Sequence, residues 1–243
     1  MRETDVHGDR ENASSRSPHR RERVHGPRFA ATLVALLAPA LAAGIGTALA
    51  SATTRGDAEL KAALAAKPDT RRGASLYATC AACHGPDGGG VQDGSIPAIA
   101  GQWQRVLVKQ VADFRRSARL DIRMEHFADR KHLEGAQDIA DVTAYAASLA
   151  RTTPTGIGDG KSLKAGGRLW VLRCSGCHGA TGKGDASSEV PRLAGQHAGY
   201  LERQLLDAAD GRRPNMNMEH RPILKGLDPV DAAGIADYLS RMK

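Results

Sequence analysis

The chain is predicted to be all-α and to consist of two similar domains in tandem, on three observations. The segment from Cys80 to His126 aligns with Cys174 to His220 at a constant offset of 94 residues, with no gap. Apolar residues within each copy recur at i, i+4, i+7, the stripe of an amphipathic helix. No segment sustains the period-two alternation of a half-buried strand. Two copies are too few for a stacked repeat array, which needs about three, so each copy is read as a domain of its own.

The elements follow in order. Residues 51–69 are an Ala-rich lead that suits one helix. A helix then leads into each copy, with Leu76 and Tyr77 ahead of Cys80, and Leu169 and Trp170 ahead of Cys174. Gly/Pro-rich stretches at 85–94 and 179–184 read as loops. A middle helix follows on Leu107, Val111 and Phe114, and its counterpart on Leu201, Leu205 and Ala208. A closing helix carries Val142, Ala146 and Leu149, matched by Ile235, Leu239 and Met242 after the offset shifts to 93. The domains are placed at 70–151 and 161–243, joined by a Thr/Gly-rich linker at 152–160.

All four cysteines fall into two pentapeptides, Cys80-Ala-Ala-Cys83-His84 and Cys174-Ser-Gly-Cys177-His178. C-x-x-C-H is the haem c attachment signature. The two thiols add across the haem vinyl groups, and the following His becomes the proximal ligand of the iron. A lone C-x-x-C also suits zinc or a redox dithiol. Two complete pentapeptides with the same residues downstream point instead to two covalently bound haem c groups. Composition agrees. Each domain has fewer than 100 residues, and aromatics make up only 4% of the chain. Units this small bury too little surface to be stable unaided, and a haem supplies an apolar core.

The distal ligand is sought in the block that recurs 40 residues after each haem-binding His: Met124-Glu-His126 and Met218-Glu-His220. A thioether suits an electron-transfer iron, and Met/His ligation raises the reduction potential. Met124 and Met218 are the expected distal ligands, with His126 and His220 as rivals in a bis-His arrangement. Met216, whose repeat partner is Ile122, is read as packing. Pro97 and Pro191 each stand 13 residues after the proximal His. Either they stiffen a loop, or a carbonyl there accepts the ligand His Nδ1–H and fixes its tautomer. Arg119 and Arg213 pair across the repeat and suit haem propionates, or else solvent.

Residues from about 70 to 243 resemble the dihaem class I c-type cytochromes, most nearly the cytochrome c4 family. The resemblance rests on C-A-A-C-H-G and C-S-G-C-H-G, Pro97-Ala-Ile-Ala-Gly-Gln102 and Pro191-Arg-Leu-Ala-Gly-Gln196, the distal Met blocks and the closing Ala-Tyr and Asp-Tyr-Leu helices. It implies two cytochrome c domains packed about a pseudo-twofold, shuttling single electrons in the bacterial periplasm. Implied partners are a quinol-oxidising complex or a terminal oxidase. Ser117-Ala-Arg119 replaces the family's usual Gly-x-Arg in the first copy.

The N-terminus gives the address. Residues 29–50 carry no charge and end in Ala48-Leu49-Ala50, an A-x-A cleavage site. Residues 1–50 therefore read as an export signal or, with an uncharged run of 22 residues, as a membrane anchor. Either way the Arg-rich flank stays inside and the rest is exported. Residues 1–28 hold seven Arg and five acids, net +2, so the exported part carries +7 − 2 = +5. That charge suits acidic partners or a membrane surface, and nothing else in the chain suggests nucleic-acid binding. The expected function is a periplasmic dihaem electron carrier. The alternatives are a cytochrome subunit of a membrane dehydrogenase or oxidase, and a dihaem peroxidase, which would need one open distal site.

Overall fold

The computed structural model describes residues 56–243. The apolar run at 29–50 and its cleavage site lie outside them. The described residues form ten helices: α1 (56–65), α2 (Thr70–His84), α3 (Gln104–Arg115), α4 (Ile122–Phe127), α5 (Ala136–Ser148), α6 (Leu163–Arg173), α7 (Ser175–His178), α8 (Ala198–Ala209), α9 (His220–Leu224) and α10 (Pro229–Ser240). The only β pairing among them is an isolated bridge between Asp185 and Val190.

Each repeat is built on a crossing of its first and last helices, and glycine makes the crossing possible. A Cβ on Gly73 of α2 would lie 2.1 Å from the Asp141 carbonyl oxygen of α5. A Cβ on Gly166 of α6 would lie 1.9 Å from the Gly234 carbonyl oxygen of α10. Backbone meets backbone at both crossings, and only glycine permits it. The middle helices α3 and α8 then pack on α5 and α10. The first core gathers Tyr77, Leu107, Val108, Leu133, Ile139, Val142 and Ala146, with Ala63 of α1 added. The second gathers Trp170, Leu201, Leu224, Leu227, Ile235, Ala236 and Leu239. The expected stripes thus face their cores. Met242 lies two residues beyond the end of α10 and still packs on its core.

Two features depart from a strict repeat. The helix carrying the first pentapeptide is continuous, whereas the second breaks at Cys174, which leaves the helical region at φ −123° and separates α6 from α7. Domain 1 also carries α1, tied down where Arg115 donates to Glu59 at 2.7 Å.

The two repeats meet through contacts that map onto each other by the 94-residue offset. Gln196 accepts from the Ala98 amide at 2.9 Å and donates to its carbonyl at 2.7 Å. Gln102 accepts from the Arg192 amide and donates to its carbonyl, both at 2.9 Å. Trp103 Nε1 donates to the Lys183 carbonyl at 2.8 Å. His197 stands at the corresponding place, 2.7 Å from the Gly89 carbonyl. Its Nδ1 accepts from Gly156 of the linker at 2.9 Å, so the ring proton is on Nε2 and donates. Reciprocal pairing of this kind is the signature of a twofold, isologous contact.

Candidate haem centres

In domain 1, α2 brings Cys80, Cys83 and His84 onto its last turns and stops at Gly85, at φ 79°. The loop then folds back, with the Gly90 amide bonded to the His84 carbonyl at 2.9 Å. Gly90, at φ 71°, leaves no room for a side chain: a Cβ would lie 2.6 Å from the Pro97 carbonyl oxygen. That close approach sets the Pro97 carbonyl 3.0 Å from His84 Nδ1. His84 is only 7% exposed, and burial holds its imidazole below the usual value, partly offset by the Pro97 bond. The ring is therefore neutral, with its proton on Nδ1 and Nε2 available to a metal.

Domain 2 repeats the arrangement. Gly184 N–H bonds the His178 carbonyl at 2.9 Å, and His178 Nδ1 lies 3.3 Å from the Pro191 carbonyl. His178 is 9% exposed, its imidazole also held down by burial. All four thiols are free, with Cys83 and Cys177 exposed. Burial pushes the Cys80 thiol up to about 11 and raises that of Cys174.

The distal blocks differ. Met124 is half-buried on α4, whose cap is Asp121, accepting from the Arg123 and Met124 amides at 3.0 and 3.3 Å. His126 is exposed, its ring stacked edge-on against Phe127 at 5.0 Å and His132 at 4.8 Å. In domain 2 the order reverses. Met218 precedes α9 and is 63% exposed. His220 is half-buried and its ring centre lies 6.0 Å from that of His178.

Between the domains, Arg119 donates to Gln110, to Gln204 and to the Tyr200 hydroxyl, each at 2.7 Å. Arg213 sits beside it, and burial, with Arg119 adding to it, lowers the Arg213 guanidinium to about 10. The sealed atoms that find no partner include Arg213 Nε, Asn215 Oδ1 and His220 Nδ1. A haem fits this set of residues. His Nε2 would ligate its iron, the paired thiols would hold its vinyl groups, and the enclosed Arg213 guanidinium, with an unmet donor, would suit a propionate. The sequence alone did not single out Tyr200, His197 or Asp113, which complete the interface. Their signal was the repeat itself, since they lie at or beside paired positions.

Two C-x-x-C-H turns, each with its His held by a proline carbonyl, define a c-type cytochrome with two haem domains. The comparisons agree. The family model for cytochrome c matches residues 70–150 and again 163–243. The cytochrome c4 of Azotobacter vinelandii is 36% identical over 187 residues, 70% of this chain and 88% of that protein. A thiosulfate dehydrogenase electron acceptor from Stutzerimonas stutzeri (strain A1501) is 31% identical over 71% of this chain and 83% of its own length. The crystal structure of reduced cytochrome c4 from Pseudomonas stutzeri superposes with a TM-score of 0.65 at 28% identity, covering 73% of this chain and all of that one. The chain belongs to the cytochrome c family, as a two-domain member of the cytochrome c4 kind, and is a dihaem electron carrier.

Proposed function

We propose that the protein is an exported, periplasmic carrier that passes single electrons between a respiratory dehydrogenase and an oxidase. His84 and His178 are the proximal ligands, Cys80, Cys83, Cys174 and Cys177 the covalent anchors, and Met124 the distal ligand of the first domain. The observation that carries this reading is the pair of buried imidazoles, each fixed by the Pro97 or Pro191 carbonyl. The bound haem supplies one-electron exchange at its iron. The chain's own part is positional. The proline carbonyls accept Nδ1–H and fix each imidazole's tautomer and orientation. Arg119 and Arg213 would hold the propionates, and the Gln102 and Gln196 contacts hold the two domains together.

The donor is a quinol-oxidising complex or, as the thiosulfate dehydrogenase electron acceptor among the relatives suggests, a dehydrogenase. The acceptor is a terminal oxidase. A net charge of +5 on residues 51–243 steers the carrier to acidic partner faces. No helix among the described residues is long and apolar enough to cross a membrane. Release after cleavage near Ala50 is the reading we favour over tethering.

The test is to express the chain with haem-attachment machinery and measure the denatured mass, the optical spectrum and a redox titration. Two haem additions and two one-electron steps are expected. A single addition, or rapid carbon monoxide binding to the reduced protein, overturns the reading. N-terminal sequencing of the haem-stained periplasmic band tests export.

A further inference from the structure

The distal block of domain 2 presents a different ligand from the one its methionine suggests. We infer that His220, and not Met218, is the sixth ligand of the second haem, so that this centre is bis-histidine. The inference rests on the reading of His178 as the proximal ligand.

Three observations carry it. The first is spacing. Two imidazoles bound to opposite sides of one metal through bonds of about 2 Å have ring centres roughly 6 Å apart; the His178 and His220 rings are 6.0 Å apart. The second is an unmet polar group. His220 Nδ1 is sealed from solvent with no hydrogen-bond partner. No hydrogen bond at that nitrogen holds the ring in another orientation, so the imidazole is free to face an iron. The third is the place of the rival. Met218 is 63% exposed.

The local sequence explains why. Pro222 is the third residue of α9. Proline lacks an amide hydrogen and is tolerated only in a helix's first turn, so α9 does not extend back to include Met218. Met218 is left on the approach, and His220 becomes the first helical residue, facing the core. The corresponding residue of domain 1 is Ala128, which sets no such limit, and there α4 includes Met124. The Asp121 that caps α4 is matched by Asn215, whose amide instead donates to Asp113 at 2.8 Å across the interface. His126 has a rival in His132, held by Asp129 at 2.9 Å. The residue at that place in domain 2 is Gly226, and nothing there draws the His220 ring aside.

The experiment uses the full-length holoprotein, purified with both haems attached. Low-temperature electron paramagnetic resonance and near-infrared magnetic circular dichroism read the ligand pair directly. Met218→Ala and Met216→Ala are expected to leave the domain 2 spectrum and potential unchanged. His220→Met is expected to add one sulfur-to-iron charge-transfer band and raise the potential of one haem, the direction known for Met replacing His. His220→Ala is expected to turn one haem high-spin. Loss of a charge-transfer band in Met218→Ala, or an unchanged low-spin spectrum in His220→Ala, overturns the inference. Because His220→Ala alone could disturb folding, the silent Met218→Ala and the gained band in His220→Met carry the test. A protein lacking two haem additions fails the underlying reading instead, and mass spectrometry separates the two failures.

Discussion

Met124-Glu-His126 and Met218-Glu-His220 are the same three residues at the same distance from the same motif, yet the two domains place them differently. In domain 1 the block lies within a helix begun by Asp121, and the methionine is the enclosed residue. In domain 2 the helix begins two residues beyond the methionine, and the histidine is enclosed. Identity of a short block therefore does not fix which of its side chains reaches the core. The neighbours that set the helix start decide it, here Asp121 against Asn215 and Ala128 against Pro222.

The largest expected effect comes from moving that boundary. Asn215→Asp combined with Pro222→Ala gives the second block the cap and the freedom of the first. The expected outcome is a change of ligand from His220 to Met218, seen as a gained charge-transfer band and a higher potential for one haem. An unchanged spectrum would show that something other than the helix start sets the choice. Met124→Ala alone sharpens the same contrast. It should abolish charge-transfer absorption in domain 1 and lower that haem's potential, while Met218→Ala does neither.

Next in size is a buried charge present in only one domain. Asp113 is fully buried and takes Lys109, Arg116 and Asn215 as partners. Its repeat partner, Asp207, is half-buried and pairs with the exposed Arg212. Removing one member of a buried charge cluster costs about 3–5 kcal/mol, against about 1 kcal/mol or less at a surface pair. Asp113→Ala should therefore lower the denaturation midpoint far more than Asp207→Ala. Burial raises the Asp113 carboxyl, but Lys109, Asn215 and Arg116 outweigh it and hold the group below the usual carboxylate value. Its contribution is therefore full above about pH 4 and is lost as pH falls through the lower folded value. Asp113→Asn should flatten that acid limb, as followed by denaturant titration between pH 5 and pH 2.

The smallest effect lies at one turn. Ser117, at φ 54°, stands where Gly211 stands at φ 75°. A left-handed conformation costs a residue with a side chain roughly 1 kcal/mol. Ser117→Gly should stabilise domain 1 by about 0.5–1 kcal/mol, and Gly211→Ser should destabilise domain 2 by a similar amount. Equal midpoints for both variants would show that the two turns are relaxed differently.

Much of this was legible in the residues. The pentapeptides, the offset of 94, the apolar stripes and the prolines 13 residues downstream placed the helices and the proximal side of each centre, because those features are local and periodic. The short helices α4 and α9 were not foreseen, since five or six residues carry no readable period. The exposure of Met218 was not legible for a related reason. The repeat compared which residues recur, whereas the outcome depended on a non-recurring one, Pro222. The resemblance implied a pseudo-twofold, but the part that Gln102 and Gln196 play in it was not legible, because each bonds the backbone of the opposite repeat, which a residue pattern does not show.

The paired contacts of Gln102 and Gln196 have a consequence for assembly. A twofold contact between free domains would be a dimer, at the mercy of dilution. A linker of nine residues, 152–160, makes the encounter intramolecular, and short flexible linkers give effective concentrations in the millimolar range. An interface worth only about 4 kcal/mol, a dissociation constant of roughly 1 mM, is then already half closed. Every further contact shifts the balance by mass action rather than by area. The covalent tether thus lets a thin, hydrogen-bonded seam do what separate subunits would need a broad apolar face to achieve.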